Sequence, residues 1–333
     1  VTFPTSPASW SAESGDPSKS QCLISFGSNL GDRGHSIAEA ARILADSPLT
    51  VNFAASRLFE TPPIGGPEGQ DPFLNAVAAF DTDATARQVL AFLQETENQL
   101  GRQRRQRWGA RSIDLDVVLH GELIGGGTGL VVPHPRYTAR QFVLQPACDV
   151  APHYRDPRFG WTIQQLSDHL GQSAASLALV GGQDLIRRQL CMRVADEHGV
   201  TVFTDPDAGI DLGSDRTVPW ISSFVPVLPR IGPALPGTPV GGDLDADPNA
   251  GRVSGRVLDP AVPRLVTRIQ RSTPDTAWPA PHQMWPSGWA WPEYRLEVDD
   301  MDWAVSELVS ALASMQCPIQ PVTSDGAWWT ELI

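Results

Sequence analysis

The sequence predicts an α+β fold over residues 20–174 and a second unit, of α/β type, over 175–333. Three observations carry this. The apolar segments of the first part follow the order strand, helix, strand, strand, helix, strand. The strand from Ile113 alternates with period 2, while Ile37, Ala40, Ala41 and Leu44 recur at helical spacing. Past about residue 175 the composition shifts, with a Pro/Gly/Asp-rich stretch at 227–263 and eight of the eleven tryptophans, a density that suits packing rather than a ligand cage. The element order of the first part is the ferredoxin-like one, which implies an antiparallel-rich sheet with helices mainly on one side.

Residues 1–19, rich in Ser and Pro, read as a disordered tail. Cys22 to Phe26 is a short apolar strand, and the polar turn Gly27 to Arg33 feeds a helix over 36–45. Ile37, Ala40, Ala41 and Leu44 give that helix its buried stripe. A second strand is expected over 49–59. The loop from Thr61 to Pro72 holds four prolines and three glycines, too long for an idle connection. A third strand over 73–80 and a helix over 84–100 follow, the helix closed by Gly101 as its C-cap. Next come an arginine-rich loop, a strand from Ile113, a Gly-rich hairpin over 125–129 and a helix over 138–149. In the second unit, strands are expected over 177–180, 200–203, 265–269 and 294–298, with helices over 183–198 and 301–315. Trp303, Val305, Leu308, Val309 and Leu312 give the last helix a core stripe or a dimer face.

Composition narrows the function. A 333-residue chain with 41% hydrophobic residues suits two domains with real cores. Its net charge of −13 argues against nucleic acid or an anionic membrane as a general partner, because counterion release needs broad positive surface. Lys19 is the single lysine, which excludes a Walker A phosphate loop and Schiff-base chemistry in the folded part. The four cysteines form no Cys-x-x-Cys pair, as expected in a reducing compartment. No apolar run reaches transmembrane length, and the first twenty residues lack a basic-then-apolar leader pattern. A cytoplasmic location is the expectation.

The chemistry concentrates in Arg107-Trp-Gly-Ala-Arg-Ser-Ile-Asp-Leu-Asp116. Side chains alternate along a strand, so Ile113, Leu115, Val117 and Leu119 should face the core while Asp114 and Asp116 face the opposite side. Two residues of rise separate the two Asp Cα atoms by roughly 6.6 Å, which suits divalent ions held about 3.5 to 4 Å apart. Oxygen ligands of this kind favour Mg²⁺, which keeps waters and takes further ligands from phosphates. Arg102, Arg104, Arg105, Arg107 and Arg111 lie just upstream, and planar guanidinium forks match phosphate oxygens. Metal beside arginine points to phosphoryl chemistry. An Asp-x-Asp pair alone is more often a solvated strand face, and an arginine run alone a solvated loop, so the reading rests on their conjunction.

Five segments together resemble a known family: Phe26-Gly-Ser-Asn-Leu-Gly-Asp32, Phe59-Glu-Thr-Pro-Pro63, Phe73-Leu-Asn-Ala-Val77, the Arg107 to Asp116 segment, and Pro133-His-Pro-Arg136 followed by Arg140-Gln-Phe-Val-Leu144. In order and spacing they resemble the 6-hydroxymethyl-7,8-dihydropterin pyrophosphokinases of folate biosynthesis, over about residues 20–170. The resemblance implies transfer of pyrophosphate from ATP to the pterin hydroxymethyl group, with two Mg²⁺ ions held by Asp114 and Asp116. By position it implies a pterin pocket of Thr61, Pro62, Ile64, Phe73, Asn75 and Phe142. It implies nucleotide contacts from Gln94, Glu97, Ile113, His134, Arg136 and Arg140, and a catalytic set of Arg102, Arg104, Trp108, Arg111, Asp114 and Asp116. Two aromatic faces and an amide suit a flat heterocycle with a donor and acceptor edge. The segments 61–72 and 101–111 would then act as lids that exclude water.

Residues 175–333 open with strand, Gly-Gly, helix, strand, but Val180-Gly-Gly-Gln183 lacks a phosphate-binding glycine fingerprint and any lysine. A non-catalytic unit is expected, serving a protein partner or self-association. The competing reading of the whole chain is a scaffold that binds pterin or nucleotide and recruits a partner through this half.

Overall fold

The computed structural model describes residues 19–67, 69–101, 111–127, 129–229, 259–270, 291–298 and 300–330. The first nineteen residues apart from Lys19, most of the Arg loop at 102–110, and the bulk of the 227–263 stretch lie outside the described residues, as does most of the Trp-rich segment that follows it.

The first sheet contains six strands among the described residues: β1 (Ser20–Ser28), β2 (Val51–Ala55), β3 (Phe59–Thr61), β4 (Phe73–Thr82), β5 (Asp114–His120) and a late strand at Gln320–Pro321. Its order runs from 320–321 through β3, β4 and β1 to β5, with β2 also on β4, and every pairing is antiparallel. Together with two helices, α1 (Arg33–Ala45) and α2 (Ala86–Gln99), it gives the expected α+β unit. Each helix starts where the sequence supplies a cap. The Asp32 carboxylate accepts from the His35 amide, and Thr85 and Gln88 cap α2 reciprocally. Gly101 takes φ +74° just beyond α2, as a C-terminal glycine should.

The second strand, expected over 49–59, is divided. Asn52 adopts φ 57° and the β2 register shifts between Val51 and Ala54. Ser56 then leaves the ladder, its amide donating to the Val77 carbonyl and its hydroxyl accepting from the Val77 amide. A related irregularity corrects the reading of β5. Ile113, Leu115 and Val117 pack with α1 and α2, but Leu119 joins Val118 in the core on the other side of the sheet. The register shift opposite Leu23 and Ile24 inserts one residue, and an extra residue inverts the alternation that follows. Asp114 and Asp116 lie before the shift and keep their common face.

Helices cover both faces of this sheet, not mainly one. On the second face lie a single 3₁₀ turn at Tyr137–Ala139, α3 (Gln141–Val150) and α4 (Ile163–Gly171). The α4 helix was not foreseen, although its Thr162/Gln165 capping box and the buried Ile163, Leu166 and Leu170 are legible signals.

The second sheet is wholly parallel among its described strands: β6 (Ser176–Val180), β7 (Thr201–Phe203), β8 (Trp220–Ser222), β9 (Leu265–Gln270) and β10 (Glu293–Glu297). In space they run β10, β9, β6, β8, β7. Helix α5 (Asp184–His198) follows β6 and helix α6 (Met301–Met315) follows β10. The turn between β6 and α5 is filled by its own protein. Arg187 Nη1 donates to the carbonyls of Gly181 and Gly182 at 2.9 and 3.2 Å. A Cβ at Gly181 would meet the Ile269 carbonyl at 2.8 Å, at φ +79°, so only glycine fits there.

One hydrophobic cluster joins the two sheets. It contains Leu23 and Val77 of the first, Leu177 and Leu265 of the second, and residues of α3, α4 and α6. The chain then returns to the first sheet after α6. The Val322 amide donates to the Leu58 carbonyl, and the Trp328 indole donates to the Ser56 carbonyl at 2.7 Å from within the α1/α2 core.

A buried imidazole lies beside the junction. His169 is 1% exposed, pairs through Nε2 with the Arg264 carbonyl at 2.8 Å, and packs edge-on against Trp161 and Trp291. Burial, then the Arg264 charge, pushes its pKa down to about 3. The unfolded chain therefore binds a proton that the folded one refuses, and stability falls as pH drops below about 6.5. Between pH 7 and pH 5 this site alone should remove ~2 kcal/mol. Urea unfolding at the two pH values checks it, and an unchanged pH slope in His169→Gln would show that another group is responsible.

Candidate active site

The site is built on the adjacent strands β4, β1 and β5. Gly27 of β1 pairs with Asn75 on one side and with Asp114 on the other, and Ser25 pairs with Asp116. The antiparallel register therefore delivers an amide and two carboxylates to one end of the sheet. Gly27 is their shared floor. A Cβ there would stand 3.6 Å from Asn75 Oδ1 and 4.0 Å from Asp114 Cβ, ordinary contacts for the fold, so the glycine leaves space for a ligand and relieves no internal clash.

An open cleft lies above this floor, a concave setting of the kind in which small molecules bind. All six residues expected for the pterin pocket line it: Thr61, Pro62, Ile64, Phe73, Asn75 and Phe142. Asn75 and Thr61 are buried, and the Asn75 amide donates to Thr61 Oγ1 at 2.8 Å. That bond fixes the amide orientation and leaves Oδ1 toward the cleft side of Gly27. Phe73 from β4 and Phe142 from α3 add aromatic rings to the lining, with the Arg140 guanidinium 5.8 Å from the Phe142 centroid.

Arg111, Asp114, Asp116, Arg136 and Arg140 line the same cleft. Arg111 Nη1 is paired with Asp114 Oδ2. Asp116 is looser, with His134 Nε2 and Arg140 Nη1 at 3.8 and 3.9 Å from its Oδ2. Burial, followed by the charges of Arg140 and Arg136, holds the His134 pKa well below its ordinary value. The ring is therefore neutral near pH 7. Its Nδ1 accepts the Arg136 amide at 3.2 Å, which puts the proton on Nε2, toward Asp116. No group of three His, Cys, Asp or Glu side chains suited to a metal occurs among the described residues. A cation here would take two carboxylates and complete its shell with water and phosphate, the usual pattern for Mg²⁺.

The other expected residues sit elsewhere. Gln94 is exposed on α2, and Glu97, one turn on, is buried and accepts the Leu115 amide at 2.8 Å. Ile113 is fully buried against α1 and α2. Arg102, Arg104 and Trp108 lie outside the described residues. Asn29 was not singled out and has a clear place. Its backbone amide donates to the Arg111 carbonyl, its Oδ1 accepts the Arg111 amide at 2.8 Å, and its Nδ2 reaches Gln70 and the Asp71 carbonyl. It thus ties the 61–72 segment to the start of the Asp strand. Its sequence signals are the polar turn from Gly27 and its place in the Phe26 to Asp32 segment of the family resemblance.

Residues 23–152 match the family model of the 7,8-dihydro-6-hydroxymethylpterin-pyrophosphokinases. The 2-amino-4-hydroxy-6-hydroxymethyldihydropteridine pyrophosphokinase of Pseudomonas aeruginosa is 40% identical over 134 residues, covering 40% of this chain and 82% of that protein. The chain belongs to this family. Its Bacillus subtilis relative of the same name is 37% identical over 127 residues, 38% of this chain and 75% of that one. The bifunctional protein FolKE of Lactococcus lactis is 30% identical over 167 residues, and the chain spans 47% of its length. Solved structures of Plasmodium falciparum HPPK-DHPS align with 56% of this chain and 56% of theirs at 11% identity and a TM-score of 0.36. As a family member the chain is a pyrophosphokinase of pterin metabolism. No helix among its described residues is long and apolar enough to cross a membrane.

Proposed function

We propose that the cleft transfers a pyrophosphoryl group from ATP to the hydroxymethyl oxygen of 6-hydroxymethyl-7,8-dihydropterin, releasing AMP, as a step of cytoplasmic folate biosynthesis. One observation carries the reading. The β1 register sets Asn75 beside Asp114 and Asp116 in one cleft, an edge-reading amide next to a pair of carboxylates.

The pterin would lie between Phe73 and Phe142 with its polar edge on Asn75 and Thr61. Its hydroxymethyl group would then point along the floor toward Asp114 and Asp116. The pterin oxygen attacks the β-phosphorus, its bond to the α-phosphate oxygen breaks, and AMP leaves with that oxygen. Such a transfer needs alignment and neutralised charge more than covalent help. Asp114 and Asp116 would hold two Mg²⁺ ions, which supply neutralisation of the phosphate oxygens. Arg140 and Arg136 face the same space as cations, with neutral His134 as a hydrogen-bond donor. Among the nearby side chains Asp116, half-exposed and loosely paired, would guide the hydroxyl proton, and no stronger base stands beside it. Arg102, Arg104 and Trp108 would close over the phosphates, whereas Gln94, Glu97 and Ile113 would act only through α2 and the core behind β5. We further propose a boundary near 174/175, with the segment around 320–330 crossing back onto the first domain.

Mixing the chain with ATP, Mg²⁺ and the reduced pterin should yield AMP in step with pterin consumption. ADP in place of AMP would contradict pyrophosphoryl transfer. The floor offers a second check. Because a Cβ at Gly27 meets only ordinary contacts, Gly27→Ala should fold with a melting temperature within a few degrees of the parent. A methyl group projecting into the site should still weaken pterin binding roughly tenfold. Unchanged pterin affinity by calorimetry would place the ring elsewhere.

A further inference from the structure

The far wall of the cleft comes from the C-terminal half, beyond the 23–152 match. Helix α6 contributes Glu307, Ser310, Ala311 and Ser314, spaced three, four and seven residues apart along one stripe, and β10 contributes Tyr294. Glu307 is the unusual member. It is 2% exposed, and its Oε1 accepts from the Tyr294 hydroxyl at 2.6 Å and pairs with Arg136 Nε. A carboxylate so buried is tolerated only beside a cation, and Arg136 is that cation.

The arrangement is reciprocal. Burial works against the charge on Arg136, yet Glu307 and its neighbours hold its pKa above the ordinary value. Burial and Glu307 together keep the Tyr294 phenol protonated, so it remains a donor to the carboxylate. The Arg136 amide is meanwhile bonded to His134, which faces Asp116. A continuous set of contacts therefore runs from α6 to the carboxylate pair.

We propose that Glu307 is a positioning residue for pyrophosphoryl transfer: it holds the Arg136 guanidinium on the phosphate side of the cleft, making the C-terminal half a wall of the active site. This rests on the reading of the cleft as the pterin and ATP site. It assigns 175–333 a role in the reaction that requires no outside partner. An untethered arginine would have to be ordered by each incoming nucleotide, so loss of Glu307 should be felt in the use of ATP before the use of pterin.

The test uses the full chain. Glu307→Gln keeps the size and the Tyr294 contact but removes the charge. Its kcat/KM for ATP should fall roughly tenfold, its KM for the pterin should stay within about twofold, and Glu307→Asp should recover part of the loss. In a double-mutant cycle with Arg136→Met, the combined variant should lose no more than Arg136→Met alone, since both act through one guanidinium. Losses that multiply, or wild-type use of ATP by Glu307→Gln, would overturn the proposal. If Glu307→Gln does not fold, Arg136→Met/Glu307→Met removes both charges together, a change that buried pairs often tolerate. Near-normal kcat/KM for ATP in that variant overturns the proposal as well. Absence of AMP from the unmutated chain overturns the substrate reading together with this one, whereas AMP formation with an indifferent Glu307→Gln overturns this one alone.

Discussion

Asp116→Ala is expected to lower turnover by on the order of a thousandfold, about 4 kcal/mol in barrier, and Asp114→Ala by a similar amount. The pair projects from one strand face into the cleft, with Arg111 on Asp114 and His134 and Arg140 near Asp116. Removing either carboxylate leaves those positive and donor groups without the anion they surround. Charge on the transferring group would then be met by the arginines alone. Pterin affinity should change little, because Asn75, Thr61 and the two phenylalanines keep their contacts. Steady-state AMP formation and pterin calorimetry on the same preparations separate the two effects. Full turnover in both variants would mean that the acidic pair has no part in the reaction.

Trp328→Ala should destabilise the chain by about 3–5 kcal/mol, the range for deleting a buried aromatic. Trp328 is 6% exposed, sits in the core formed with α1 and α2, and donates its indole N–H to the Ser56 carbonyl. The variant loses apolar contact and leaves that carbonyl unsatisfied at once. Phe53 would keep its edge-on contact with Trp329, so partial anchoring persists. The consequence reaches the site, because the same segment adds the strand 320–321 to β3, which ends in Thr61. Chemical denaturation gives the stability change. A loss below about 1 kcal/mol would show that the return of the chain to the first sheet is incidental.

The two halves were legible to different degrees, and particular residues show why. The helix over 301–315 is legible with its bounds intact because its apolar spacing is a local fact. The Asp face of β5 was legible for the same reason, while the position of Leu119 was not. A single inserted residue reverses an alternating pattern, and only the pairing with β1 reveals it. The short strands at 220–222 and 320–321 carry too few residues for a periodic signal. Their strand character comes from the neighbours they pair with.

By itself, the sequence set out two carboxylates on one strand face, the arginines beside them and the absence of a lysine phosphate loop, each a property of residue type and local spacing, whereas the amide and two aromatics for a flat ligand came only through the resemblance to the family. Only the tertiary structure decided where Glu307 lies and what it touches. On an isolated helix, Glu307, Ser310 and Ser314 form a polar stripe that belongs in water. Packing α6 against Arg136 and Tyr294 turns that stripe toward the cleft and makes Glu307 a buried partner of Arg136. The partner lies 171 residues away along the chain, and no local pattern encodes a contact at that separation.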